Sequence, residues 1–387
     1  MNASEKSTAP KTAPISSIVL AGGGTAGHVN PLLAVADEVR RRNPNAKVLV
    51  LGTTQGLEAD LVPARGYELW PIPKVPLPRR PSPDFLKLPG RLGAAVQSAQ
   101  AAIKKIDAQV VIGFGGYVST PLYLAAHKSG VPIVIHEQNA RPGLANRLGS
   151  RWAEETGLTF PDSRLSGGKV VGLPLRKEIA ELAAQKESDP VGTRAAAATH
   201  FGLDPNRPIL FVTGGSSGAV SINDAISEAA PELVQKGIQI LHITGKGKDE
   251  TARKVAANLP DYHVQDYSTE MQKAFACADL VVTRSGAGMV CELSALGIPA
   301  IYVPLPVGNG EQRLNAEPVV AAGGGILIDD REFNKDFVVQ TIPQLINDKP
   351  KLAQMAENAA ATGVRDGAAR IVDLIELAAA NGQKKHK

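Results

Sequence analysis

The sequence predicts an α/β protein of two consecutive units, each a doubly wound parallel sheet with helices on both faces. Three observations carry this. Short apolar runs alternate with longer amphipathic stretches, and apolar runs without polar alternation mean strands buried on both faces, as in parallel sheets between helix layers. The alternation runs to about residue 172 and restarts after residue 206. Each series opens with a strand, a glycine loop and a helix, "IVLAGGGTAGH" and then "ILFVTGGSSGAVSIN". Two such units facing each other direct two helix N-termini into one central cleft, where free amides and dipole ends favour anions.

The elements follow in order. Strands are expected at Ile18–Ala21, Lys47–Gly52, Val110–Gly113, Pro132–His136 and Lys169–Gly172, with helices such as Pro31–Arg42 and Arg91–Lys105 between them. A polar, Ala-rich stretch over 176–206 follows a join near Gly172–Arg176. The second unit brings strands at Ile209–Thr213, Ile238–Thr244, Tyr262–Gln265, Leu280–Thr283 and Ala300–Val303. This sets the domains at 15–173 and 174–364. The last helical stretch, about 365–380, has no strand after it and can pack on either unit. Residues 1–14 read as a disordered tail and 381–387, "NGQKKHK", as a frayed basic one.

Composition narrows the function. The net charge of +4 is too mild to argue for nucleic acid. Two cysteines, Cys277 and Cys291, exclude a disulfide framework and a cysteine-rich metal site. No apolar run approaches the ~20 residues that span a bilayer, and residues 1–14 lack the apolar core of a signal peptide. The expectation is a cytoplasmic protein, unless something holds it to a membrane surface.

Gly22, Gly24 and Gly27 fit G-x-G-x-x-G. A dinucleotide site also needs an acidic residue at the end of the second strand, and Thr53-Thr54-Gln55 stand there. His28 lies just before Asn30, a good N-cap, and Pro31, suited to N1. A helix N-terminus disfavours the imidazolium, so His28 should be neutral near pH 7, as a general base must be. "GFGGYVSTP" (113–121) lets a backbone approach a ligand, with hydroxyls from Tyr117 and Ser119. "IVIHEQNARPG" (133–143) ends a strand in His136-Glu137-Gln138-Asn139, where open sheets bind ligands. No H-E-x-x-H or D-x-D gives a specific metal signal.

In the second unit, "VVTRSGAGMVCELSALGIP" (281–299) runs strand, loop, helix and carries Glu292, a carboxylate able to accept both hydroxyls of a ribose. "PLPVGNGEQRLNAE" (304–317) offers Asn309, Glu311, Gln312 and Asn315 to sugar hydroxyls. Arg284 and Arg176 are candidates for phosphate or for a structural role. Residues 70–93 interleave Lys74, Arg79, Arg80, Lys87 and Arg91 with Trp70, Leu77, Phe85, Leu86, Leu88 and Leu92, a pattern suited to an anionic membrane surface or to a proline-rich loop leading into a helix.

Taken together, "GGGTAGHVNP", "GLEADLVP", "GFGGYVS", "HEQN", "GLPLR", "GGSSGA", "TRSGAGMVCE" and "EQRLNA" resemble the MurG family of N-acetylglucosaminyltransferases, in that family's order. The resemblance implies a GT-B fold: two Rossmann-like domains facing a central cleft, with the C-terminal helix crossing back to the first. It implies inverting transfer of GlcNAc from UDP-GlcNAc to the 4-hydroxyl of MurNAc in lipid I, without a metal or other cofactor, at the cytoplasmic membrane face. By matching position it places His28 as the catalytic or substrate-binding histidine; as the general base His28 is the first candidate and Glu137 the reserve. Thr25, Ala26, Gly27, His28, Asn139, Arg176, Ser216, Ser268, Glu292, Gln312 and Asn315 fall on UDP-GlcNAc positions, and Gly115, Gly116, Tyr117 and Ser119 on the acceptor side. The chain departs from the family pattern at Glu311-Gln312, at Ser217 and at Tyr267-Ser268. The alternatives are an NAD-dependent oxidoreductase, another UDP-sugar enzyme of the same fold (a UDP-GlcNAc 2-epimerase or a transferase with a different acceptor) and a non-catalytic UDP-sugar sensor.

Overall fold

A computed structural model describes residues 13–75, 88–165 and 167–385. Among them the first sheet comprises β1 (Ser17–Ala21), β2 (Lys47–Gly52), β3 (Glu68–Pro71), β4 (Val110–Gly113), β5 (Ile133–Glu137), β6 (Glu155–Leu158) and β7 (Gly168–Val170). Its helices are α1 (Ala26–Arg42), α2 (Glu58–Ala64), α3 (Leu88–Ile106), α4 (Ser119–Ser129) and α5 (Leu144–Gly149). Two helices follow, α6 (Lys177–Ser188) and α7 (Pro190–His200). The second sheet comprises β8 (Ile209–Thr213), β9 (Gln239–Ile243), β10 (Tyr262–Gln265), β11 (Leu280–Thr283), β12 (Ala300–Tyr302) and β13 (Gly325–Leu327). Between and after them come α8 (Val220–Gln235), α9 (Glu250–Ala256), α10 (Met271–Cys277), α11 (Ala287–Leu296), α12 (Glu311–Ala321), α13 (Lys335–Asn347), α14 (Lys349–Thr362) and α15 (Gly367–Lys385).

All strands pair in parallel. The orders are β3-β2-β1-β4-β5-β6-β7 and β10-β9-β8-β11-β12-β13. In each sheet the winding reverses beside the first strand, between β1 and β4 and between β8 and β11. At such a switch point the connections leave in opposite directions and a crevice opens at the strands' carboxyl ends. The glycine loops after β1 and β8 lie at these two points.

Each sheet is buried on both faces. In the first, Leu32, Val35 and Val39 of α1 share a core with Ile371, Ile375 and Ala378 of α15, while Val96, Ala99 and Ile103 of α3 and Leu122 and Ala126 of α4 cover the other side. The C-terminal helix therefore lies on the first domain, against α1, β4, β5 and β6. Arg42 Nη1 reaches Asp373 Oδ1 of this helix at 2.7 Å and Nη2 donates to Ala369 O at 2.9 Å.

The polar 176–206 stretch is two helices. Asp189 accepts from Gly192 N and Pro190 fills the first position of α7, the two usual devices for starting a helix. Ile179, Leu182 and Ala198 bury in the second-domain core. Three strands have no counterpart in the sequence reading: β3, β6 and β13. Several expected boundaries shift by a few residues, such as α3 to Leu88–Ile106 and β7 to Gly168–Val170, and two shifts bear on the site and the tail. Helix α1 begins at Ala26 with Thr25 at the N-cap, because Gly24 at φ +88° turns the chain early; His28 thus sits within the first turn, and Asn30 is not the cap. At the other end α15 continues to Lys385, so most of the expected frayed tail is helical, while residues 1–12 of the expected leading tail lie outside the described residues.

Candidate active site

On the first domain, the loops after β1, β2 and β4 meet. Gly115 and Gly116 hold φ of +88° and +75°, and a Cβ on Gly116 would stand 2.9 Å from Gly23 O, so the two glycine loops lie backbone against backbone. The half-buried His28 ring is fixed by Thr25, whose Oγ1 is 2.9 Å from Nδ1. Its other nitrogen, Nε2, lies 3.3 Å from where a Gly115 Cβ would be; glycine leaves that space clear. Burial lowers the His28 pKa to about 4, with the Glu58 charge acting in the opposite sense. The ring is neutral at pH 7; in the tautomer whose Nδ1–H donates to Thr25 Oγ1, Nε2 carries the free lone pair.

Glu58 opens α2 and is fully buried. Its Oε1 accepts from Thr53 N at 3.0 Å and from Thr53 Oγ1 at 2.8 Å, and its Oε2 from Gly24 N at 3.1 Å. Burial pushes this carboxyl up, but the Thr53, Glu58 and Gly24 amides together hold it below the usual range. Tyr117 OH lies 3.4 Å from Thr53 Oγ1, linking the loop after β4 to the same group.

Two sequence expectations on this side change. Ser119 is fully buried, and its hydroxyl donates to Ala21 O and Gly115 O at 3.0 and 2.7 Å, which stitches β1 to the glycine loop instead of facing an acceptor. Glu137 is buried too. Its oxygens accept from Asn139 N, Gly143 N and Asn146 Nδ2 at 2.9, 3.0 and 2.9 Å. A carboxylate so engaged and buried shapes the 139–143 loop, with three of its roughly four acceptor positions taken by its own loop and Asn146, which fits a positioning role better than that of a base; burial raises its pKa. Asn146, held by Tyr123 OH at 2.7 Å, completes this cluster.

On the second domain, the loop after β8 carries exposed Ser216 into α8. Gly215 and Gly218 hold φ of +78° and +65°, and a Cβ on Gly218 would stand 2.1 Å from Thr244 O. Lys248 Nζ donates to Ser217 O at 2.8 Å. Behind it runs a buried relay. Asn223 Oδ1 only accepts, so His242 Nε2–H donates to it at 3.0 Å, leaving Nδ1 to accept from Tyr262 OH at 2.8 Å. Ser227 Oγ lies 3.1 Å from Tyr262 OH, and Asn223 Nδ2 donates to Thr244 O at 3.0 Å. Ser268, past edge strand β10, accepts from Glu270 N at 3.0 Å, apart from these groups. Arg284 is structural in this arrangement: it donates to Val303 O and Pro304 O at 3.1 Å each and to Ser221 Oγ at 3.0 Å, and pairs with Asp330.

Of the predicted residues, Asn139 and Asn315 meet across the two domains, whereas the Arg176–Glu292 and Gln312 contacts lie within the second. Arg176 and Glu292 form a two-pronged pair, Nε to Oε1 and Nη2 to Oε2, both 2.8 Å. Asn315 is fully buried; its Oδ1 accepts from Ala140 N at 2.9 Å and its Nδ2 donates to Asn139 Oδ1 at 3.3 Å. Arg141 bonds Asn309 O. Gln312 Oε1 accepts from Leu305 N at 3.0 Å. Thr25, Gly27 and His28 stand on the first domain at the start of α1, with Ala26 in the same turn, whereas Ser216, Glu292, Gln312 and Asn315 belong to the second. Of the basic-apolar segment, residues 76–87 lie outside the described residues; Lys74 and Arg91 are exposed, and Lys105 Nζ stands 5.0 Å from the centre of the Trp70 ring. Among the described residues no three His, Cys, Asp or Glu side chains gather as a metal site would need, and no helix is long and apolar enough to cross a membrane.

The sequence reading missed Glu58 and His242. Glu58 stands in the quoted "GLEADLVP", three residues past Thr53-Thr54-Gln55, where no carboxylate was found.

The comparisons with known proteins bear on the family and the fold. The model of the glycosyltransferase family 28 N-terminal domain matches residues 18–158, and that of the family 28 C-terminal domain matches 209–371. The chain is 52% identical over 364 residues to a UDP-N-acetylglucosamine–N-acetylmuramyl-(pentapeptide) pyrophosphoryl-undecaprenol N-acetylglucosamine transferase of Clavibacter sepedonicus, covering 94% of this chain and 96% of that one. A protein of the same name from Streptomyces coelicolor is 48% identical, with 92% and 97% covered. Among solved structures, Acinetobacter baumannii MurG superposes with a TM-score of 0.74 at 28% identity, covering 94% of this chain and 100% of that one. A UDP-N-acetylglucosamine 2-epimerase from Listeria monocytogenes, at 14% identity and TM-score 0.68 over 97% and 98%, shares the fold.

Proposed function

The chain belongs to glycosyltransferase family 28, and from that premise we propose that it transfers N-acetylglucosamine from UDP-N-acetylglucosamine to the N-acetylmuramyl-(pentapeptide) pyrophosphoryl-undecaprenol acceptor. The donor lies on the second domain and the lipid-borne sugar on the first. His28 Nε2 takes the proton of the attacking hydroxyl, whose oxygen bonds the anomeric carbon as the bond to the UDP oxygen breaks, inverting the configuration. The carrying observation is the His28 geometry: a neutral ring, Nδ1 fixed by Thr25, Nε2 set over the glycine gap at Gly115.

As UDP departs, negative charge grows on its pyrophosphate. The loop after β8 and the start of α11 present first-turn amides, which have no intrahelical partner and stabilise such charge without reorganising. Arg176 pairs with Glu292. Donor binding exchanges this pair: the carboxylate takes the ribose hydroxyls and the guanidinium turns to phosphate. Gln312 meets the sugar, Ser268 the base side, and Gly116 and Tyr117 border the acceptor; Asn315, expected on the sugar, is instead fully buried and braces Ala140 and Asn139. Residues 70–93 rest on the anionic membrane surface from which the acceptor is drawn.

The test is UDP release from UDP-N-acetylglucosamine with a lipid I analogue. The expected result is release only when the analogue is present, unchanged by EDTA. Release without acceptor, or none with it, would overturn the assignment.

A further inference from the structure

The burial of Glu58 carries an inference that goes deeper into the same site and rests on the proposed role of His28. Three glycines from three segments clear the space this carboxylate fills. A Cβ would stand 2.8 Å from its Oε1 at Gly23, 2.6 Å from its Cγ at Gly52 and 2.2 Å from its Oε2 at Gly56. A buried charge is costly unless paired or fully hydrogen-bonded. Here it has no cation: the salt bridges of the described residues do not include it. Its bonds go to Gly24 N, Thr53 N and Thr53 Oγ1, all from loops that build the first-domain site. Each end of this chain of contacts is fixed: Gly24 precedes Thr25, and Thr25 Oγ1 holds His28 Nδ1 at 2.9 Å.

We propose that Glu58 is the positioning carboxylate of the transfer reaction: by pinning Gly24 and Thr53 it sets Thr25, which keeps the His28 proton on Nδ1 and turns Nε2 to the acceptor hydroxyl. The arrangement does the work of an orienting acid beside a catalytic histidine, with one backbone amide and one hydroxyl interposed. Because Thr53 Oγ1 donates to Glu58, it is left to accept from Tyr117 OH, so the loop after β4 is drawn to the same group. The carboxylate touches neither substrate nor the reacting atoms.

Glu58→Gln tests this. An amide of the same shape must turn its NH2 against one of the backbone N–H donors, which releases either Gly24 or Thr53. Turnover is expected to fall roughly tenfold to a hundredfold, the cost of misplacing a reacting group by a fraction of an ångström or more, with the donor KM within about twofold of the parent. The second readout needs no turnover: in the 15N-histidine-labelled chain the His28 ring, assigned by its absence in His28→Ala, shifts from a single Nδ1–H tautomer to a mixture. Should Glu58→Gln not fold, Gly56→Ala keeps the charge but places a methyl where Oε2 lies, and the same turnover-only defect and tautomer mixture are expected. An unchanged ring tautomer overturns the proposal, whatever the rate; so does turnover within about threefold of the parent. If His28→Ala itself left turnover intact, the role of His28 as base would fall, while the ring spectra would still judge Glu58.

Discussion

The loops after β1 and β8 stand at equivalent points of their sheets, yet opposite chemistry braces them. A charged carboxylate, Glu58, grips the first through Gly24 N. The second packs backbone to backbone against Thr244 and Gly245, supported by the neutral relay Asn223–His242–Tyr262, and the charges beside its helix, Arg284 and Asp330, cancel as a pair. On the proposed assignment the second loop takes the donor's diphosphate, and it gains from having no uncompensated negative charge behind it, since like charges close together in a protein repel. A loop that must keep a histidine oriented tolerates a carboxylate, which also favours a more basic ring. Under the proposed assignment, the difference in bracing follows the difference in task.

The sharpest way to break the comparison is His28→Ala. Loss of a general base lowers turnover by about 10²–10⁴-fold, and the donor KM should stay near the parent value because the second domain is untouched; steady-state kinetics with varied donor decide it. Glycine substitutions come next, and here the loops should differ. Gly218→Ala combines φ of +65° with a Cβ only 2.1 Å from Thr244 O, so backbone must move; about 1–3 kcal/mol of overpacking adds to conformational strain, and donor KM rises with the loss seen in thermal denaturation. Gly24→Ala, at φ +88°, meets nothing nearer than Tyr117 Cε1 at 3.4 Å. It carries strain alone, about 1–3 kcal/mol, and its kinetic defect should appear in turnover.

The smallest effect is graded with pH. Burial lowers His28 and His136 to about 4 and His242 to about 3, against roughly 6.5 in an unfolded chain. Below pH 6.5 the unfolded chain takes up protons that the folded one refuses until near pH 4, so stability is complete above that window and falls as pH drops through it. The melting temperature should decline from pH 7 to pH 5, and less so in His242→Gln. A flat profile would mean that these rings are charged in the fold. For catalysis, the acid limb that His28 gives to kcat/KM should lie near pH 4 in the free enzyme.

How much of this was legible in the sequence follows from what each residue needs. Lys47–Gly52, Val110–Gly113, Ile209–Thr213 and Leu280–Thr283 were read with the bounds the structure gives, because apolar runs between turn residues have few other fates. The short strands β3, β6 and β13, such as "ELWP" and "ETGL", carry too little apolar length to announce themselves; pairing to a neighbour makes them strands. For α7, "SDP" was a helix start in plain view, with Asp as cap and Pro after it. His28 was legible as a neutral ring at a helix start, though its cap is Thr25. Glu58 was not, since its burial depends on gaps left by glycines at 23, 52 and 56, and no local pattern joins those positions. Ser119 and Glu137 looked like ligand-facing groups for a similar reason: sequence gives a side chain's chemistry and place, but not whether the backbone has already claimed it.

Helix α15 buries Ile371 and Ile375 against the first sheet, although the whole second domain is translated in between. While the chain is still emerging from the ribosome, β4, β5 and β6 wait with part of one face bare, and the second domain is free to fold first. Completion of the amino-terminal half thus waits on residues made after the second domain. A nascent chain stalled or clipped before residue 367 would expose greasy strands of the half that was synthesised earliest, offering chaperones and proteases a mark of an unfinished product.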